Sequence, residues 1–318
     1  MGPSALLRRR NRTVGVVVAV AVLALVAALA WFGARSIVKV SLAQTNLTPT
    51  PSGPAAVVPQ FSHVYTIVLE NRSSTSVFDS AQAPYLNQLA ARYGVADAYQ
   101  AVAHPSQPNY LALFSGSTQG VTDNQRHDID ALTIADQLEA AGRSWRVFAE
   151  NVPTGCFTGL TADGGPDGSG TYARKHEPAI SFTSISGSPT RCANVQPMSE
   201  FDPAAADYAF IVPNMCNGAH DCPLSAADAW LKRFVPRILD SAAWKDGGIL
   251  FITFDEADDQ EREANRVATF VIAPSVAPGT RSSVPHSHYS LLHTVQDGLG
   301  LDCLALSCEA NTLGEFFR

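Results

Sequence analysis

Gly248-Ile249-Leu250-Phe251-Ile252-Thr253-Phe254-Asp255-Glu256 is a near-continuous apolar run that stops at two acids. A run without polar alternation predicts a strand buried on both faces, the kind found in a parallel sheet covered by helices on either side. The same reading extends outward from it. Strand-like His63–Leu69 precedes a helical pattern over Ala81–Arg92 closed by Gly94, and helical Ile129–Ala141, closed by Gly142, precedes strand-like Ser144–Phe148. Tyr208–Val212 and Val267–Ala273 read as further strands, Ala226–Leu239 and Tyr289–Leu299 as helices. This alternation predicts an α/β fold with a mostly parallel central sheet. Thr154–Ser188, rich in Gly, Ser, Pro and Thr, has no period and reads as a long surface excursion. Loops of that length are uncommon unless functional, so it is expected to border a substrate site.

The chain has 318 residues, 46% of them hydrophobic and 16% charged, with a net charge of −7. One globular domain with an appendage fits that length, and the acidic balance gives no footprint for nucleic acid. The appendage is N-terminal. Arg8, Arg9, Arg10 and Arg12 precede an uncharged apolar run from Val14 to Phe32, and Arg35 resumes charge. The run approaches the ~20 residues that cross a bilayer, which favours a membrane anchor. Ala28-Leu29-Ala30 has the small-x-small form of a processing site and leaves a cleaved signal peptide open. Either way the basic cluster predicts a chain whose bulk lies outside, anchored to the membrane or secreted. The division that follows is a basic cytoplasmic segment over 1–12, an anchor or signal helix over 13–34, a Pro/Thr-rich linker over 35–60 and a catalytic domain over 61–318.

All six cysteines lie downstream of the apolar run. An even count in an exported chain predicts disulfides, with Cys216–Cys222 and Cys303–Cys308 as the local pairs and Cys156–Cys192 remaining, although six cysteines allow fifteen pairings. No C-x-x-C pair supports a zinc site instead.

In open α/β sheets, ligands sit beyond the carboxyl ends of the strands. There the sequence places Glu70-Asn71, Pro213-Asn214 followed by His220-Asp221, and Asp255-Glu256. Carboxylates converging beside a hydroxyl repel unless a cation lies between them, so a divalent metal is expected. The hydroxyl is Ser106 in His104-Pro105-Ser106-Gln107-Pro108-Asn109-Tyr110, ahead of a helix expected over Tyr110–Phe114. A helix start stabilises an anion, which suits a phosphoryl group with Asn109 as a donor, while a metal would lower the pKa of the Ser106 hydroxyl. A serine helix cap remains the plainer alternative.

The Ser106 segment, Glu70-Asn71-Arg72 and Thr253-Phe254-Asp255-Glu256 together resemble the phosphoesterase family of acid phosphatases and phospholipases C, within the alkaline phosphatase superfamily. The likeness continues through Ala149-Glu150-Asn151-Val152-Pro153, Tyr172-Ala173-Arg174-Lys175-His176, Phe210-Ile211-Val212-Pro213-Asn214, His220-Asp221, Ala229-Trp230-Leu231 and Ser287-His288-Tyr289. It implies an alkaline-phosphatase-like three-layer sandwich in which Ser106 is the phosphorylated nucleophile and Glu70, Asn71, Asp255 and Glu256 hold a metal. It further implies that His220 and His288 line the site as phosphate ligands or general acids, with His104, His176 and Lys175 as secondary phosphate contacts. Relatives often carry an acid two positions before the histidine, where this chain has Gly218. One ion is therefore expected, and oxygen ligands favour calcium, magnesium or manganese.

The resulting expectation is an exported, metal-dependent phosphomonoesterase acting on a phosphorylated small molecule or lipid. A phospholipase C-type diesterase shares the same site. A non-catalytic surface binding protein on the same fold is a further alternative, against which the intact Ser106, Asn109, Glu70 and Asp255 argue. A conventional serine hydrolase lacks its G-x-S-x-G elbow here.

Overall fold

The computed structural model describes residues 57–163 and 171–317. The basic segment, the expected anchor or signal helix and nearly all of the linker lie outside the described residues. Among the described residues, no helix is long and apolar enough to cross a membrane.

The main sheet contains β1 (Val64–Leu69), β2 (Gly94–Ala96), β4 (Trp145–Ala149), β7 (Val195–Pro197), β8 (Tyr208–Val212), β9 (Ile249–Phe254), β10 (Thr269–Ile272) and β11 (Arg281–Ser282). Two small sheets pair β3 (Tyr99–Gln100) with β12 (His286–Ser287) and β5 (Thr161–Ala162) with β6 (Tyr172–Ala173). The eight strands run in the order β11-β2-β10-β9-β1-β8-β4-β7. From β9 to β7 every pairing is parallel, and β10 joins antiparallel to both β9 and β2. β1, β8 and β9 are buried at every residue, as strands covered on both faces must be.

The helices that cover them are α1 (Pro84–Arg92), α2 (Ser106–Ser115), α3 (Ile134–Ala140), α4 (Leu224–Leu239) and α5 (His288–Gly298). They form two groups, α1 packed on α4 and α2 packed on α5 and α3. Their starts follow local chemistry. Pro84 takes the first turn of α1, where its missing N–H is not needed. Thr133 and Asp136 make a capping box that begins α3 at Ile134, later than the apolar pattern suggested. α2 begins at Ser106, four residues before the expected Tyr110, because Pro108 falls in its first turn and so does not break it.

Register decides what meets at the strand ends. β1 and β9 pair from Val64↔Ile249 to Leu69↔Phe254, so both strands end at one level and the next residues, Glu70 and Asp255, stand side by side. β8 pairs Ile67↔Ile211 and β4 pairs Ala149↔Val212, which brings Asn214 and Glu150 to the same edge.

Three disulfides join Cys156–Cys192, Cys216–Cys222 and Cys303–Cys308, the pairs the spacing suggested. The expected surface excursion differs in its second half. Tyr172, Arg174, His176, Glu177, Ile180 and Phe182 are buried, because Arg174 turns inward and donates to Thr158 O, His127 O, Ile180 O and Asp128 Oδ1. A guanidinium with that many acceptors is a fixed post rather than a loop side chain.

Candidate active site

At the carboxyl edge of the sheet, α2 presents Ser106 buried at its first position. Its hydroxyl lies 3.1 Å from Glu256 Oε1 and 3.5 Å from Glu70 Oε2. Glu70 follows β1, and its backbone N–H is held by Gly218 O at 2.8 Å. Asp255 follows β9, and its Oδ1 accepts the N–H groups of Asn71 at 2.9 Å and Glu256 at 2.7 Å. Tyr110, one turn along α2 from Ser106, donates its hydroxyl to Glu70 Oε1 and stacks its ring on His176 at 5.2 Å between centroids. His176 Nε2 is 3.0 Å from Glu70 Oε2, but too far off line for a hydrogen bond. Beside it Lys175 Nζ meets His220 Nε2 at 3.0 Å, and His220 Nδ1 meets Asp221 Oδ1 at 2.7 Å.

The electrostatics follow from burying acids together. Burial first, and then the charge of Asp255, pushes the Glu70 carboxyl well above its ordinary range. Burial and the charge of Glu256 push Asp255 up to about 6, and burial pushes Glu256 up to about 7. Burial, reinforced by Lys175 and His220, pushes His176 well down, so its ring is neutral. Three acids disfavoured in their charged form around one hydroxyl form a site whose balance a bound cation would restore.

Among the described residues, no three His, Cys, Asp or Glu side chains already enclose a metal position. The donors nevertheless fit a hard cation. Asp255 Oδ2 and Asn71 Oδ1 are buried oxygens without a hydrogen-bond partner, next to one another in the chain of contacts through Asn71 N–H. Buried acceptors left without donors call for a positive ligand, and an all-oxygen set suits calcium, magnesium or manganese. Glu70 and Glu256 are the adjoining carboxylates.

Of the residues expected from sequence, Ser106, Glu70, Asn71, Asp255, Glu256, His176, Lys175 and His220 meet here. Three others are placed differently. Asn109 is buried with its amide fully engaged: Oδ1 accepts from Val102 and Ala103, and Nδ2 donates to Ala103 O and Pro105 O. It ties down the loop before Ser106 and has no donor left for phosphate. His288 is buried behind the site, with Nε2 on Asp255 O at 2.7 Å and Nδ1 on Tyr99 OH at 3.0 Å. Burial lowers its pKa to about 4, so it is a neutral support for the Asp255 backbone and not a general acid. His104 donates its Nε2–H to Arg262 O at 3.1 Å and meets Glu256 Oε2 through Nδ1, which makes it a support for Glu256.

Three residues of the quoted motifs, Tyr110, Asn214 and Glu150, have contacts that the sequence did not indicate. In the sequence Tyr110 marks only a helix start, although its place four residues after Ser106 puts both on one helical face. Asn214 and Glu150 brace the loop that carries Gly218 and His220. Glu150 Oε2 accepts Asn214 N at 3.0 Å and Asn217 Nδ2 at 2.9 Å, while Asn214 Oδ1 accepts Cys216 N and Asn217 N.

The profile of the Phosphoesterase family matches residues 63–302. A phosphatidylinositol-3-phosphatase of Mycobacterium tuberculosis is 34% identical over 249 residues, which is 78% of this chain and 80% of that one. An acid phosphatase of Aspergillus fumigatus is 28% identical over 80% of this chain, and the match spans 58% of the fungal protein. In fold, the chain is similar to a protein in the alkaline phosphatase superfamily from Vibrio parahaemolyticus, with a TM-score of 0.51 at 10% identity, covering 79% of this chain and 69% of that one. The strand-end acids, the serine at a helix start and these likenesses agree: the chain belongs to the phosphoesterase family, as a hydrolase of phosphoric ester bonds.

Proposed function

We propose that this hydrolase is an exported, metal-dependent phosphomonoesterase with Ser106 as its nucleophile. The observation that carries the reading is the buried Ser106 hydroxyl, set between Glu256 and Glu70 at the carboxyl edge of the sheet. Ser106 Oγ attacks phosphorus and gives its proton to Glu256, the nearest acceptor. The ester P–O bond breaks, and the leaving alkoxide takes a proton from the Lys175–His220 pair, which Asp221 orients. Water then hydrolyses the phosphoseryl intermediate and releases phosphate. Glu70, Asn71, Asp255 and Glu256 would hold the ion. When bound, it supplies positive charge that lowers the serine pKa and offsets charge gained by the phosphoryl oxygens.

A lipid phosphate is the favoured substrate class, supported by the likeness to the mycobacterial phosphatidylinositol-3-phosphatase. Export is supported by three disulfides, which persist in oxidising compartments. The test is a phosphatase assay of wild type and Ser106→Ala, with and without chelator. Loss of activity in both arms is expected, and Ser106→Ala turning over like wild type would refute the nucleophile.

A further inference from the structure

His220 sits in a small ring of chain closed by the Cys216–Cys222 disulfide and by the Asp221 N–H on Met215 O at 2.9 Å. Ahead of His220 the ring is fastened at two places. Asn217 Nδ2 donates to Glu150 Oε2 at 2.9 Å, and Gly218 O accepts the Glu70 N–H at 2.8 Å. The second contact is close: a Cβ at position 218 would lie 3.3 Å from Glu70 Cγ and 3.0 Å from Asn214 O, which leaves little room for a side chain there. Beyond His220 the fastening is Arg72, half-buried beside the ring. Its Nη2 donates to Cys222 O at 3.2 Å and its Nη1 to Asn71 O at 2.7 Å. Asn71 is held in the left-handed region, at φ 51°, and carries the buried Oδ1 offered to the proposed ion. One guanidinium thus ties the far end of the His220 ring to the ion side of the site.

We infer that Arg72 is a positioning residue for protonation of the leaving group, holding the ring where His220 Nε2 meets Lys175 Nζ. The inference rests on the proposed role of the Lys175–His220 pair as proton donor. Asp221 orients the imidazole through Nδ1, but it belongs to the same ring and moves with it. Where the pair stands relative to Ser106 is therefore set by the ties that leave the ring. Those to Glu150 and Glu70 lie ahead of His220, and Arg72 supplies one beyond it. Because the disulfide makes the ring stiff, a tie on each side of His220 fixes the residues between them. Residue type matters here. A guanidinium has two terminal nitrogens in a planar fork and serves two carbonyls at once, whereas a lysine has one nitrogen. Donors that carry charge also make the stronger bonds to a carbonyl.

The test compares wild type, Arg72→Met and His220→Gln on two substrates. p-Nitrophenyl phosphate releases a phenolate that needs no proton, and glycerol phosphate releases an alkoxide that does. The ratio of the two kcat/KM values, taken on one preparation, cancels any loss of folded protein. Arg72→Met keeps an apolar stem and deletes both donors. Its loss on glycerol phosphate is expected to exceed its loss on p-nitrophenyl phosphate by about 10- to 100-fold, the cost of a group displaced by about 1 Å. Hydrogen exchange at the Ala219 and Asp221 amides, both bonded within the ring, is expected to quicken. A wild-type ratio in Arg72→Met beside a shifted ratio in His220→Gln would overturn the inference and leave the proton donor standing. An unshifted ratio in His220→Gln would sink the proton donor itself; exchange then judges Arg72, and wild-type rates overturn its hold on the ring. If Arg72→Met does not fold, Arg72→Lys decides by the same ratio: a shift is expected, and a wild-type value overturns the inference.

Discussion

Tyr110 donates its hydroxyl to Glu70 while its ring lies on His176, so one side chain on the helix that carries Ser106 sets two residues of the opposing wall. Tyr110→Phe keeps the stack and deletes the donor. Leaving a buried carboxylate short of one donor costs about 1–3 kcal/mol. Because Glu70 adjoins the proposed ion, activity is expected to fall about 10- to 100-fold, with the ion concentration for half-maximal activity shifted upward. Metal titration followed by both activity and melting temperature checks this, and an unaltered titration would remove Tyr110 from the site.

Asp255 offers the buried, unpartnered Oδ2. In wild type, adding calcium, magnesium or manganese to chelator-treated protein is expected to raise the melting temperature, since a ligand bound only by the folded state stabilises it. Asp255→Asn should lose that rise and more than about 100-fold in activity. Differential scanning calorimetry with each ion identifies the preferred one, and an undiminished thermal shift in the variant would place the ion elsewhere.

His288 bridges Tyr99 and the Asp255 carbonyl from a fully buried position. His288→Ala removes two hydrogen bonds and leaves a cavity, an expected loss of about 3 kcal/mol. At roughly 2–4 °C per kcal/mol for a domain of this size, the melting temperature should drop by several degrees. A variant as stable as wild type but inactive would restore His288 to a chemical role.

Glu177 is fully buried and accepts N–H groups from Ala179 at 2.8 Å and Ile180 at 3.2 Å, yet burial pushes its pKa from 4.5 to about 7. Its folded pKa exceeds its unfolded one, so the unfolded chain releases this proton first as pH rises. The resulting stability is fully present below pH 4.5 and is lost as pH climbs to about 7. Glu177→Gln lacks this loss. Relative to wild type, the variant should gain up to about 3 kcal/mol between pH 4 and pH 8. Urea denaturation at the two pH values measures it, and a constant difference would mean that Glu177 titrates normally.

The backbone plan was legible because β9 and β1 are buried on both faces and announce themselves as unbroken apolar runs. β2, β7 and β11 were not, since strands of two or three residues carry no period. The acids could be read because they end strands, and their meeting follows from strand register. The hydrogen-bond partners of Asn109, His104 and His288 could not. Residue type tells what a side chain can donate or accept, while whether that capacity is already used inside the fold depends on neighbours distant in sequence, such as Arg262 for His104 and Tyr99 for His288.

The register of β1 against β9 also governs when the site comes into being. Asn71 and Asp255 touch across 184 residues of sequence, and β9 is the strand that completes the centre of the sheet. A chain growing from its N-terminus makes Glu70, Ser106 and His220 long before Asp255. Until β9 emerges and docks beside β1, Glu70 and Ser106 stand without Asp255 and Glu256 beside them.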